Sequence, residues 1–242
     1  MILVTILLAL ILAMLILLQR IQKHMLEKAE NTEESSEVSV APGDVHVDEA
    51  DLSKESSDAQ ASIEEERELK DGLRIWVGDS RTEGIRLYAE VDQDQDDFIA
   101  KVGASFVWFD TEAVPELEKE LEEQGDRVAY VFINMGVNDC AGSANNSNLF
   151  KADQYAERIN GLIKDWPDIE FYFYSVCPCS GNYEYLNEEI DHFNEVMQDK
   201  CKAGFIDTGG FLKLTVFSSS DGLHYDEETY DRIYQYVLLM AE

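Results

Sequence analysis

Ser80, Asp221 and His224 are the residues whose types and order could do chemistry together. A serine hydroxyl is a weak nucleophile until a base takes its proton. A neutral imidazole can take that proton near working pH and return it. A carboxylate on the other ring nitrogen fixes the tautomer and stabilises the imidazolium that forms. The chain holds four histidines. His24 abuts an apolar run, His46 lies in an acidic stretch, and His192 falls inside a helical pattern, where a surface or packing role fits better. His224 is left, and the bend at Asp221-Gly222 can aim it back over a sheet. Asp221, three residues earlier, can accept its second ring proton. Charge developing on a carbonyl oxygen also needs fixed donors, and losing one such donor costs ~2.7–4 kcal/mol of barrier. The Ser80 amide, the Gly103 amide and the Asn138 side chain are candidates. Each fragment alone has a plainer reading: Gly-Asp-Ser as a turn, Asp221-Gly222 as a turn signal, Asn138-Asp139 as a cap and Gly103 as a strand stop. Four such fragments in order, each at the end of an expected element, are harder to dismiss.

The elements that must position these residues alternate from Asp71 onward. Leu73–Val77 is an apolar, β-branched and aromatic run that ends in Gly-Asp-Ser, so it reads as a buried strand delivering Ser80 to the lip of a sheet. Residues 81–91 follow as helix or loop. Phe98–Val102 is the second expected strand, stopped at Gly103. Val114–Gln124 is a helix begun near Pro115 and ended by Gly125. Arg127–Asn134 is the strongest strand signal in the chain. Ala152–Asp165 is an amphipathic helix, Ile169–Val176 the fourth strand, Tyr185–Cys201 a helix, Gly204–Thr208 a short fifth strand and Asp226–Met240 the closing helix. Strand-helix alternation predicts a parallel sheet covered on both faces, with its sites at the carboxyl ends of the strands. The polar clusters fall there.

What precedes that unit has a different composition. Residues 1–18 are an unbroken apolar run that spans roughly 27 Å as a helix at ~1.5 Å per residue, enough for a bilayer. The run exits into Gln19-Arg20-Ile21-Gln22-Lys23 without a small-residue cleavage site, so residues 1–28 read as an uncleaved membrane anchor with a basic flank. Residues 29–70 hold 14 acidic and 3 basic residues, much serine and no aromatic residue. Such a stretch buries too little apolar surface to offset chain entropy, and reads as a disordered, self-repelling tether. Residues 71–242 then form a single domain with enough chain for a proper core. The net charge of −31 argues against binding nucleic acid through its phosphates and against docking on anionic lipid.

With these residues in place, the sequence resembles the SGNH hydrolases, the GDSL-type esterases and lipases. The family is named for Ser, Gly, Asn and His in four blocks. They match here as Ser80 in Gly-Asp-Ser, Gly103, Asn138 in Gly-Val-Asn-Asp and His224 in Asp-Gly-Leu-His. The resemblance covers essentially all of residues 71–242. It implies a flavodoxin-like three-layer α/β/α sandwich on a five-stranded parallel sheet. It implies Ser80 as nucleophile, His224 as base, Asp221 as the partner of that base, and an oxyanion hole of Ser80, Gly103 and Asn138. Neither a cofactor nor a metal is implied. One departure is Arg81 after the serine, which places a cation beside the site. The anchor and tether lie outside the family pattern.

The resulting expectation is a membrane-anchored serine esterase that cleaves small acyl esters through an acyl-serine intermediate, O-acetyl groups on carbohydrate among them. The alternatives are an O-acyltransferase using the same residues and a non-catalytic cell-surface module that binds glycan or a partner. Arg20, Lys23 and Lys28 follow the span, which by the positive-inside rule argues for a cytoplasmic domain. An anchor plus a long spacer suits a cell-surface hydrolase, and the extracellular face is the expectation adopted. The oligomeric state is left open. Cys177-Pro178-Cys179 is not a redox Cys-x-x-Cys pair, and too few His or Cys stand nearby for a zinc set. In the implied sheet Cys140 and either Cys177 or Cys179 leave neighbouring strand ends. A disulfide there is open to an external domain, with free buried thiols the favoured reading. Tyr183, Tyr185 and Phe150 are candidates for a substrate groove or for packing.

Overall fold

The computed structural model describes residues 70–144 and 150–241. The anchor and nearly all of the tether, with the boundaries expected between them, lie outside the described residues. Among the described residues no helix is long and apolar enough to cross a membrane.

Five strands form one sheet: β1 (Leu73–Gly78), β2 (Asp96–Ala100), β3 (Val128–Asn134), β4 (Glu170–Tyr174) and β5 (Gly204–Ile206). Their order is β2-β1-β3-β4-β5 and every pairing is parallel. That order, 2-1-3-4-5, is the flavodoxin-like form of the doubly wound sheet. The helices are α1 (Ser80–Tyr88), α2 (Phe106–Trp108), α3 (Val114–Gln124), α4 (Val137–Ser143), α5 (Ala152–Asp165), α6 (Asn187–Lys200), α7 (Thr208–Lys213) and α8 (Glu227–Ala241). A π-helical turn, Phe109–Ala113, joins α2 to α3, and a 3₁₀ turn, Gly181–Leu186, leads into α6.

Each central strand sends alternate side chains to opposite faces, so the sheet separates two cores. Ile75, Val77, Val131, Ile133, Phe171 and Phe173 pack against α3, α5 and α6 on one face. Trp76, Tyr130, Phe132 and Tyr174 pack against α1, α7 and α8 on the other. β3 is buried at all seven positions, as a central strand covered on both sides must be. Its near-continuous apolar sequence follows from that burial.

Most expected elements differ from the observed ones only at their ends. β2 is displaced: it runs over Asp96–Ala100, two residues earlier than Phe98–Val102. The cause is Asp96, which looks like a turn residue but is drawn into the strand by buried partners. Arg74 donates to both its carboxylate oxygens, at 2.7 and 3.0 Å, and Trp76 Nε1 and Tyr234 Oη donate at 2.8 and 2.6 Å. Val102 and Gly103 therefore lie beyond the strand, in the loop over its end. Ala152–Asp165 and Val114–Gln124 run as their sequence patterns predict. The four cysteines are free thiols. Cys140 belongs to the core on one face of the sheet and Cys177 to the core on the other, while the Cys179 Sγ accepts from Arg81 at 3.1 Å.

Candidate active site

The register aligns Gly78 with Ala100 on one side and Asn134 on the other, so β1, β2 and β3 end together. A Cβ on Gly78 would collide with the Thr82 side chain and the Asn134 carbonyl. The missing side chain lets the backbone turn directly from β1 into α1. Asp79 caps that helix, its Oδ1 accepting from the Arg81 amide at 2.9 Å. Ser80 is thereby placed in the first turn of α1, where the backbone N–H groups have no carbonyl within the helix and the local dipole is positive.

Ser80, 144 positions before His224, lies against it: Ser80 Oγ and His224 Nε2 are 2.9 Å apart. His224 Nδ1 is 2.7 Å from Asp221 Oδ2. A carboxylate can only accept, so the ring proton sits on Nδ1 and Nε2 is free to accept from the serine hydroxyl. Asp221 is itself fixed by a tight turn, its Oδ1 accepting from the His224 amide at 2.7 Å and the Leu223 amide at 2.8 Å. Burial works to raise the Asp221 carboxyl, but the hydrogen bonds from the His224 amide and ring and the Leu223 amide outweigh it. They hold the group well below the usual carboxylate range. The turn is joined to the β4 side of the sheet, where the Ser180 amide donates to Gly222 O at 2.8 Å and Tyr225 Oη donates to Pro178 O at 2.6 Å.

The other two expected positions meet next to Ala104, in the loop after β2. The loop after β2 is tied to the end of β1 by the Lys101 amide, which donates to Gly78 O at 3.1 Å. Gly103 follows at φ +74°, in the left-handed region, with open space where a Cβ would stand. Asn138 Nδ2 donates to Ala104 O at 2.8 Å, which aligns its amide beside Gly103 and leaves a second N–H on the same nitrogen. Asp139 secures this corner, accepting from the Phe106 amide at 3.1 Å and from Tyr155 Oη at 2.7 Å.

Two charged residues flank Ser80 in the sequence. Arg81 does not present a cation to the reacting centre; its side chain is 4% exposed and turned into the protein. Nη1 donates to Cys177 O at 2.5 Å and Nε to Leu223 O at 3.2 Å, and the guanidinium lies 5.2 Å from the centroid of the Tyr225 ring. Leu223 immediately precedes His224, so the arginine fastens the His224 loop to the exit of β4. Asp79 is fully buried, and its Oδ2 has no hydrogen-bond partner among the described residues. Burial pushes its carboxyl up to about 6, against the opposing pull of Arg81 and His224. No local sequence signal distinguishes these roles, because Arg81 meets its partners across 96 to 142 positions. Phe150 packs on the His192 ring at 4.9 Å between centroids, while Tyr183 and Tyr185 are exposed on the 3₁₀ turn.

No family model matches the sequence, and neither does any curated protein. Solved structures do match. A lipase, Lip_vut3, from a goat rumen metagenome aligns over 70% of this chain and 97% of its own, at 15% identity and a TM-score of 0.50. The two chains share one fold. An acetyl xylan esterase, AlAXEase, covers 68% of this chain and 98% of its own at 15% identity and a TM-score of 0.45. The C-terminal catalytic domain of Streptococcus pneumoniae peptidoglycan O-acetyltransferase A covers 70% and 92% at 12% identity and 0.45. At 15% identity the likeness to the lipase is one of fold.

Proposed function

We propose that this SGNH-fold protein is a serine esterase that cleaves acyl esters through an acyl-Ser80 intermediate. The observation that carries the reading is the continuous chain from Ser80 Oγ through His224 to Asp221, with contacts of 2.9 and 2.7 Å. Ser80 Oγ attacks the ester carbonyl carbon as His224 Nε2 takes the hydroxyl proton. The tetrahedral oxyanion is met by the amides of Ser80 and Gly103 and by Asn138 Nδ2. Its collapse breaks the bond to the alcohol oxygen, which leaves with the proton from His224. Water then attacks the acyl carbon by the same route, releasing the carboxylic acid and restoring Ser80. Asp221, held ionised, stabilises the imidazolium in both halves. Small acyl groups, O-acetyl groups on carbohydrate included, are within the reach of this chemistry. The apolar run 1–18 and the acidic stretch 29–70 support a single-pass anchor and spacer, an arrangement that suits a hydrolase held on the extracellular face.

The test is hydrolysis of p-nitrophenyl acetate and butyrate by the full-length chain in a carbonate-washed membrane fraction, beside Ser80→Ala. The expected result is activity that stays with the membranes and falls at least ~10³-fold in the variant. Equal rates for a folded variant and the wild type overturn the nucleophile, and release of the chain by the wash overturns the anchor.

A further inference from the structure

One wall of the candidate site is apolar. Beside Ser80 and His224 opens a groove of ≈ 680 Å³ lined by Leu87 and Tyr88 of α1, Val102 of the loop after β2, and Tyr230 of α8. Leu87, Tyr88 and Val102 are 55%, 52% and 71% exposed. Three large apolar side chains held in water on one groove are a costly arrangement, and such patches mark sites of contact. The wall is also built. Tyr88 stacks on Tyr230 with ring centroids 6.0 Å apart. Gly84 forms the floor, where a Cβ would strike the Tyr230 ring, so a larger residue would push the ring into the groove. A volume near 680 Å³ falls within the ~300–1,000 Å³ typical of small-molecule sites and exceeds what a two-carbon acyl group needs.

The rim carries one sign of charge. Glu83, Asp226 and Glu227 border the groove, and no lysine or arginine is among the residues that line it. Glu83 pairs with Arg86, but Glu227 stands in the first turn of α8, and Asp226 Oδ1 accepts from the Thr229 amide at 3.0 Å. A negatively charged substrate arm entering here would meet carboxylates with no counter-cation in the lining.

We propose that this groove is a specificity subsite that holds a neutral, apolar arm of the ester and rejects anionic arms. The proposal rests on the esterase reading and gives it a substrate class: neutral esters with an extended alkyl or aryl portion. Full burial of one methylene is worth about fourfold in binding. An open groove gives less per carbon, so four added methylenes should give at least roughly tenfold.

The experiment uses the full-length chain with two ester series. One extends the acyl chain of p-nitrophenyl esters from acetate to octanoate, and the other extends the alcohol of acetate esters. A rise in kcat/KM of at least about tenfold along one series is expected, and that series identifies which half of the ester enters the groove. Leu87→Asp and Val102→Asp should each cut the long-to-short ratio about tenfold. Leu239→Asp, at an exposed apolar position of α8 that does not line the groove, should leave the ratio unchanged. Where the acyl series is the one that rises, p-nitrophenyl hemisuccinate should react at least about tenfold more slowly than the neutral valerate, with Glu227→Lys narrowing the gap. Ser80→Ala supplies a readout free of turnover: by saturation-transfer NMR it should bind p-nitrophenyl hexanoate at least about tenfold more tightly than the acetate. Ser80-dependent hydrolysis with flat series overturns the groove and leaves the esterase reading standing. Chain-length-dependent binding without hydrolysis overturns the esterase reading and leaves the groove.

Discussion

Arg74, near the start of β1, and Arg81, three residues past its end, are both buried, at 7% and 4% exposure, yet their charges are met in different ways. Arg74 forms a two-pronged pair with Asp96, and Trp76, Tyr234 and the Asp92 amide complete the carboxylate's hydrogen bonds. Every partner there is a group on the sheet, on α8 or on the loop entering β2, and none belongs to the candidate site. Arg81 is held by two carbonyls, a thiol and the face of a tyrosine ring. Its acceptors lie on the loop that carries His224 and on the exit of β4. Backbone carbonyls compensate a buried cation less well than a carboxylate does, and they belong to segments that must be positioned. The comparison teaches that one residue type serves stability at one end of a strand and site geometry at the other, according to what accepts its protons.

The comparison breaks first if the Arg74 pair turns out to be dispensable. Asp96→Ala removes a fully buried carboxylate and leaves a buried guanidinium, an indole N–H and a phenol without their acceptor. Removing one partner of a buried pair typically costs about 3–5 kcal/mol. Urea unfolding of the variant should show a loss of that size, while esterase turnover per folded molecule stays at the wild-type level. A loss below about 1 kcal/mol would show that the two arginines do not differ in this way.

Arg81→Met tests the other half. It keeps an unbranched stem in the same channel and removes the donors to Cys177 O, Cys179 Sγ and Leu223 O. A loosened His224 loop should lower kcat about 10- to 100-fold with KM nearly unchanged, since misplacing a catalytic group by about 1 Å can cost as much as 10²-fold. Arg81→Lys keeps the charge and one donor, and should recover part of the rate. A general loss of structure would instead lower both variants' stability without separating kcat from KM. Unchanged kcat in Arg81→Met would remove Arg81 from the site's geometry.

How far the sequence reaches follows from the range of the interactions involved. Strand-helix alternation, the buried run of β3 and the helix at Ala152–Asp165 are local patterns, and a parallel five-stranded sheet is legible from them. Ser80, Gly103, Asn138 and His224 are readable as candidates because each follows a strand or precedes a helix in a recognisable block. The structure brings Ser80, His224 and Asp221 into contact, and Asn138 beside Gly103. What local pattern misses is decided at long range. Asp96 is polar in sequence and buried in the fold because Arg74 and Tyr234 meet it from 22 and 138 positions away. Arg81, the residue after the nucleophile candidate, reads as a cation beside the site, but which way it turns is set by acceptors 96 to 142 positions away. The apolar groove is hidden for the same reason, since Leu87 and Val102 become neighbours only when β2 pairs with β1.

Asp79 offers the smallest effect and the sharpest contrast between the two ends of β1. It is the acidic neighbour of Arg81, but its Oδ1 accepts from the Arg81 backbone amide and its Oδ2 has no partner among the described residues. Its folded value is raised from 3.8 to about 6, chiefly by burial. A group raised in this way contributes stability that is fully present below the unfolded value and is lost as pH rises through the folded one. Between pH 4 and pH 7 the stability of the wild type relative to Asp79→Asn should therefore fall, by about 2 kcal/mol on the linkage relation. Urea unfolding of both proteins at pH 4, 5, 6 and 7 measures it, with the asparagine oxygen still able to cap α1. A carboxylate held in a close ion pair gives the opposite slope, gaining stability as it ionises. A flat difference would mean that burial does not raise the Asp79 carboxyl, and a rising one that Arg81 meets Asp79 as Arg74 meets Asp96. The two arginines would then be two copies of one device.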